Sequence, residues 1–150
     1  MPIDYTAHLA RVHDLAREYP DLLEFQSALV AYLHDHLPHY QWVGFYMREG
    51  SMLALGPFKG KPTPHVLIPI SQGICGAAVR EAQTIEIDDV HADPRYLACS
   101  IETQSEIVVP LFKGDAVVGE LDLDSDRKAA FTLEDRVFLE AVAKVVEGKV

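Results

Sequence analysis

The chain has 150 residues, 49% of them hydrophobic, with 13 Lys and Arg against 23 Asp and Glu for a formal charge of -10. That length fits one domain spanning 1–150 with a sizeable core, and the acid excess excludes phosphate-backbone binding to nucleic acid and adhesion to an anionic membrane surface. The cysteines, Cys75 and Cys99 alone, are too few for a secreted disulfide scaffold, and no apolar run approaches the ~20 residues of a membrane span.

Asp4, Arg11, Asp14 and Arg17 interrupt the N-terminal segment, which excludes a signal peptide there and makes a reducing cytoplasm the expected compartment. Leu9, Val12, Leu15 and Ala16 recur on one face of a first helix. Pro20 ends it. Asp21 with Glu24 makes a capping-box-like start for a second helix, whose apolar positions are Leu22, Phe25, Leu29, Tyr32 and Leu33 and which Pro38 closes. His34, His36 and His39 are expected to form a polar segment at that helix end, where partial positive charge complements the dipole.

The period then changes from helical to alternating. Residues 41–47 are aromatic and β-branched, hence a strand, and Glu49-Gly50 turns the chain into a second strand over 52–55. A connection rich in Pro and Gly follows, then a short strand over 66–69. Gly73 opens a helix that runs to about Glu81, and residues 84–87 form another strand. Residues 88–105 have no clear period and include Pro94 and Cys99; a loop this long in a compact domain usually belongs to a site. Strands over 106–112 and 116–124 make a hairpin across Lys113-Gly114-Asp115, and Thr132 with Asp135 caps a closing helix. The fold class is α+β, with a largely antiparallel sheet and the terminal helices on one face.

Several side chains stand out chemically. In the strand Gly119-Glu120-Leu121-Asp122-Leu123-Asp124-Ser125, alternation sets Glu120, Asp122 and Asp124 on one face. Asp is a poor strand former and aligned like charges repel, so the face is either solvated or turned toward something cationic or proton-bearing. Glu106 begins the partner strand and is expected to reach Asp122 and Asp124, where crowded carboxylates push one another's pKa upward. Cys75 follows Gly73-Ile74 at a helix start, where the macrodipole favours a thiolate, although a buried, inert thiol is the commoner fate. Cys99 sits in the long loop. His65, Cys75, His91 and Cys99 are scattered and lack the paired spacing that nucleates a zinc site, so no metal is expected.

Trp42-Val43-Gly44-Phe45-Tyr46, Leu55 to Lys61 (LGPFKGK), Gly73-Ile74-Cys75-Gly76, the segment from Asp88-Asp89-Val90-His91 to Ala98-Cys99, Ser105 to Leu111 (SEIVVPL) and Gly119 through Ser125 together resemble the free methionine-(R)-sulfoxide reductases, small members of the GAF fold. The likeness runs in order over nearly the whole chain. It implies a GAF fold with the ligand pocket on the sheet face opposite the terminal helices. By the same resemblance Cys99 matches the catalytic cysteine, Trp42 and Tyr46 match aromatic pocket residues, and Glu106, Asp122 and Asp124 match the acids that hold the sulfoxide oxygen and the amino-acid end.

The implied reaction is reduction of free L-methionine-(R)-S-oxide to methionine, with protonation by Glu106 or Asp124. Cys99 is left as a sulfenic acid, and a disulfide is then recycled by thioredoxin, itself NADPH-linked, with no bound cofactor. A homodimer is compatible with the sequence. One departure matters: the family's further cysteine, shortly after Gly60-Lys61, is absent, and His65 stands in that stretch. Cys75 then takes the resolving role, or an external thiol reduces the sulfenic acid directly, or turnover is lost and the chain is a binding or sensor GAF module.

Overall fold

The computed structural model describes residues 2–97 and 102–150. Helices α1 (Tyr5–Glu18) and α2 (Leu22–His36) are followed by strands β1 (Trp42–Glu49), β2 (Met52–Lys59) and β3 (Leu67–Pro69), then α3 (Gly73–Glu81), β4 (Ile85–Ile87), β5 (Ser105–Lys113), β6 (Ala116–Ser125) and α4 (Leu133–Glu147). A short 3-10 turn, Val90–Ala92, lies in the long loop after β4. The caps follow the side chains the sequence offers: Asp4 and Asp21 accept backbone N–H bonds at the starts of α1 and α2, and Thr132 with Asp135 completes a capping box on α4.

The strands form one sheet in the order β3-β2-β1-β6-β5-β4, and its strand pairs are antiparallel. Alternation divides it into two faces. Val43, Phe45, Ile107, Val109, Leu121 and Leu123 pack against α1, α2 and α4 through Val12, Phe25, Leu29, Leu33, Phe138 and Val142, all buried. The other face carries Trp42, Tyr46, Leu53 and Val108 under α3, whose Ile74, Cys75, Ala78 and Val79 are buried against it. The chain is thus α+β with the terminal helices on one face, as the residue pattern implies. No helix among the described residues is long and apolar enough to cross a membrane.

Two expectations change. The stretch from Gly56 to Lys59, read as part of a connection, belongs to β2. Gly44 pairs with Phe58 and Tyr46 with Leu55, so β2 carries one extra residue in a bulge that absorbs Gly56-Pro57 without ending the strand. His39 is not part of a solvated helix end. It lies beyond α2, is buried, and sits with its Nε2 2.7 Å from Asp135 Oδ1.

Candidate active site

The site forms on the α3 side of the sheet because β6 interrupts its apolar alternation only there. Leu121 and Leu123 turn toward the helical layer, so Glu120, Asp122 and Asp124 turn the other way. They are not solvated: Glu120, Asp122 and Asp124 are 0%, 2% and 3% exposed, and Glu106 is 4% exposed. Register fixes their neighbours. Asp124 lies between Trp42 on β1 and Glu106 on β5, Asp122 between Gly44 and Val108, and Glu120 between Tyr46 and Pro110. The hairpin therefore brings Glu106 directly beside Asp124.

Burying carboxyl groups together favours their neutral forms. Burial pushes Glu106, Asp122, Asp124 and Glu120 well above the usual carboxylate range, with mutual repulsion added: Asp122 acts on Glu106, Asp124 on Asp122, and Glu106 on both Asp124 and Glu120. The layer therefore stores protons. Both oxygens of Glu120 and one oxygen each of Asp122 and Asp124 are buried without a hydrogen-bond partner, so the layer keeps polar capacity for a guest.

Cys75 faces the same layer. Its Sγ lies 3.6 Å from Asp122 Oδ2. The helix-start position predicts a lowered thiol pKa, and the structure reverses that prediction. Burial pushes the thiol well above its ordinary value, and Asp122, Glu120 and Glu106 push it further. The half-charge of a helix end, Gln72 having no side-chain cap bond, does not outweigh desolvation and nearby acids. Cys75, Glu106 and Asp122 present donor atoms within 4.8 Å of one another, a group of three whose donor types could hold a metal ion. A cation there must displace the protons that burial retains. Of the scattered residues weighed for zinc, His65 and Cys75 line one cavity, whereas His91 packs edge-on against Tyr96.

The aromatic wall is built by β1. Period two puts Trp42, Gly44 and Tyr46 on the site face, and the Trp42 and Tyr46 rings stack with centroids 6.3 Å apart. The indole folds back over Gly44: a Cβ at that position would come within 2.6 Å of Trp42 Cζ3 and 2.9 Å of Phe58 Cβ. Only glycine leaves that room. Both rings are tied to the β2–β3 segment, Trp42 by Nε1–H to the Lys61 carbonyl at 3.0 Å and Tyr46 by its hydroxyl to the His65 carbonyl at 2.9 Å.

Two cavities open on this layer. A small one of ≈ 20 Å³, room for about one water, is lined by Tyr46, His65, Cys75, Leu97, Glu106 and Asp122. A larger one of ≈ 330 Å³ is lined by Trp42, Lys61, Thr63, Glu102, Asp124 and Asp126. Trp42, Tyr46, Cys75, Glu106, Asp122 and Asp124 are thus brought together. Cys99 lies outside the described residues. Glu120 completes the buried acidic layer by the same alternation that marks Asp122 and Asp124, and the exposed Asp126, just beyond β6, lines the larger cavity without having been singled out.

The GAF domain family matches residues 11–150. The chain is 36% identical over 141 residues to the free methionine-R-sulfoxide reductase of Escherichia coli, covering 89% of this chain and 85% of that protein. Among solved structures, the reduced form of Staphylococcus aureus fRMsr superimposes with a TM-score of 0.92 at 39% identity, over 99% of this chain and 96% of that one. A Neisseria meningitidis free methionine-R-sulfoxide reductase solved in complex with its substrate gives a TM-score of 0.93 at 32% identity, over 99% of this chain and 92% of that one. The acidic layer, the aromatic wall and this similarity along almost the whole chain agree, and the chain belongs to the free methionine-R-sulfoxide reductases of the GAF family.

Proposed function

We propose that this chain, acting as a single GAF unit in a reducing cytoplasm, reduces free L-methionine-(R)-S-oxide to methionine. The observation that carries the reading is the proton-holding layer of Glu106, Asp122 and Asp124 beneath the stacked Trp42 and Tyr46, in a chain 36% identical to the Escherichia coli reductase. A sulfoxide oxygen leaves sulfur only if it is protonated, and a carboxyl group kept neutral by burial supplies that proton near neutral pH.

In the first step the Cys99 thiolate attacks the sulfoxide sulfur. The Sγ–S bond forms as the protonated oxygen leaves as water. Water then attacks the cysteine sulfur, the S–S bond breaks, methionine leaves with its electron pair, and Cys99 is left as a sulfenic acid, so that two electrons pass from the cysteine sulfur to the substrate sulfur. Glu106 or Asp124 delivers the proton, Asp122 holds the oxygen, and Trp42 packs on the methyl group. Cys75 then displaces water from the sulfenic acid to give a Cys75–Cys99 disulfide. A dithiol partner of the thioredoxin type, fed by NADPH, reduces it. For Cys75 to act, its thiol must first lose the proton that burial holds on it beside Asp122 at 3.6 Å. A homodimer is compatible with this scheme.

Turnover coupled to thioredoxin and NADPH oxidation, measured with each sulfoxide epimer, tests the reading. Methionine release is expected from the R epimer alone and is expected to vanish in Cys99→Ser. Glu106→Gln should lower kcat by about 10²–10⁴-fold. Undiminished turnover by Cys99→Ser overturns the assignment. Tight sulfoxide binding without methionine release favours a binding module, and intact thioredoxin-dependent turnover by Cys75→Ser excludes Cys75 as the resolving thiol.

A further inference from the structure

A free amino-acid sulfoxide is a zwitterion, so a site selective for it must meet an ammonium and a carboxylate as well as the sulfoxide. The buried acids offer unpartnered oxygens that can accept from the ammonium and supply no positive charge for the carboxylate. The carboxylate needs a cation, and the ≈ 330 Å³ cavity lined by Trp42 and Asp124 has one in its lining in Lys61.

The Lys61 side chain is 67% exposed and pairs with Glu102, itself 49% exposed. A surface pair of this kind is worth little and exchanges readily. The backbone beneath it is held firmly. The Lys61 carbonyl accepts the Trp42 indole N–H at 3.0 Å. The preceding Gly60, at φ +130°, lies so close that a Cβ would meet Gln41 O and Trp42 Cδ1 at 2.8 Å each. The ring proposed to pack on the substrate methyl thus also anchors the segment from which the lysine projects. Asp124 and Asp126 line the same cavity. Burial and Glu102 raise the Asp126 carboxyl while Lys61 lowers it, so the lysine's charge acts on a second residue of the cavity lining. The cavity lining therefore offers both acids and an ammonium, the charge types that complement an α-ammonium and an α-carboxylate on one carbon.

We propose that Lys61 binds the substrate α-carboxylate, exchanging Glu102 for it, and thereby selects free methionine sulfoxide over peptide-linked methionine sulfoxide, whose carboxyl is consumed in an amide. This inference rests on the reductase reading of the site. The probe is L-methioninamide-(R)-S-oxide, which keeps the ammonium and the sulfoxide and lacks the carboxylate. Its KM, and its Kd by calorimetry, should exceed those of the free acid by about ten- to a hundredfold, the worth of a charge-assisted hydrogen bond.

Lys61→Met should raise the acid's KM by the same factor with kcat nearly kept, and leave the amide where it was, so that the two ligands become alike. Lys61→Arg should retain most of the preference. Glu102→Gln should lower the acid's KM, because the competing carboxylate is gone; a pair that merely braces the segment would instead make Glu102→Gln imitate Lys61→Met. The inference is overturned if Lys61→Met spares the acid or penalises the amide equally. Should the native protein turn over neither ligand, the reductase reading fails on its own. The calorimetric comparison still decides on Lys61, since equal or absent binding of acid and amide refutes it.

Discussion

Asp122 sits among Asp124, Glu120, Glu106 and Cys75 with 2% exposure, an arrangement that costs stability at neutral pH. Its folded pKa is raised, so the native state retains a proton that the unfolded chain releases. Stability from this group is fully present below the unfolded value near ~4 and declines as pH rises toward the folded value. Asp122→Asn removes the titration while keeping the shape. It should stabilise the fold by about 1–3 kcal/mol at pH 8 and by much less at pH 4–5, measured by urea unfolding, while turnover falls. A gain independent of pH contradicts this assignment of the proton. Gly44 is the second residue whose identity is dictated locally. Gly44→Ala should cost about 1–3 kcal/mol and displace the indole of Trp42, the chain's single tryptophan, so that fluorescence emission shifts to the red.

At the scale of elements, β6 and α3 make the site between them. β6 supplies the acids on its outer alternation, and α3 covers them with Cys75 pointing inward. The covering explains why a thiol at a helix start has a raised pKa: its desolvation exceeds the help of the dipole. In a Cys99→Ser background, Cys75 should react with iodoacetamide at pH 8 at least ~100-fold more slowly than in urea-unfolded chain. Added methionine sulfoxide should change that rate if substrate entry parts α3 from the layer. Rapid labelling of native protein argues against the packing of α3 described above. β2 adds the remaining element-level device, since its bulge lets Gly56-Pro57 pass and carries the strand on to Lys59, from which Gly60 and Lys61 reach back over Trp42.

Over the whole molecule the two sheet faces have opposite electrostatic logic. On the helical side Asp135 is the hub. Its Oδ1 accepts from Tyr5 Oη at 2.6 Å and from Tyr40 Oη and His39 Nε2 at 2.7 Å each, and its Oδ2 accepts from the Thr132 N–H at 2.8 Å. Burial alone raises this carboxyl, but those hydrogen bonds win and hold it well below the usual range. Its stabilisation is therefore present above the unfolded value near ~4 and lost as pH falls further, the reverse of Asp122. Because the hub ties α1, the entry to β1 and α4 together, Asp135→Ala should destabilise by about 3–5 kcal/mol at pH 7 and flatten the acid limb of the stability curve. Thermal unfolding across pH 3–8 measures both. A native-like acid limb in that variant assigns acid unfolding elsewhere.

The sequence by itself determined the elements and their order, because amphipathic periods, proline stops and capping pairs are local properties. It also determined that Asp122 and Asp124 share a face and that Glu106 lies across a hairpin from them, since alternation and turn length suffice. What it left open was what that face meets. Only the tertiary structure decided that α3 folds over it, that Glu106, Asp122 and Asp124 are buried and proton-bearing rather than solvated, and that the Cys75 thiol is raised and not lowered. His39 is the same lesson on the other face: beside His34 and His36 it reads as a helix-end cation, yet its partner Asp135 lies 96 positions away. A pKa depends on what surrounds a group in space, and a sequence window holds only its neighbours along the chain.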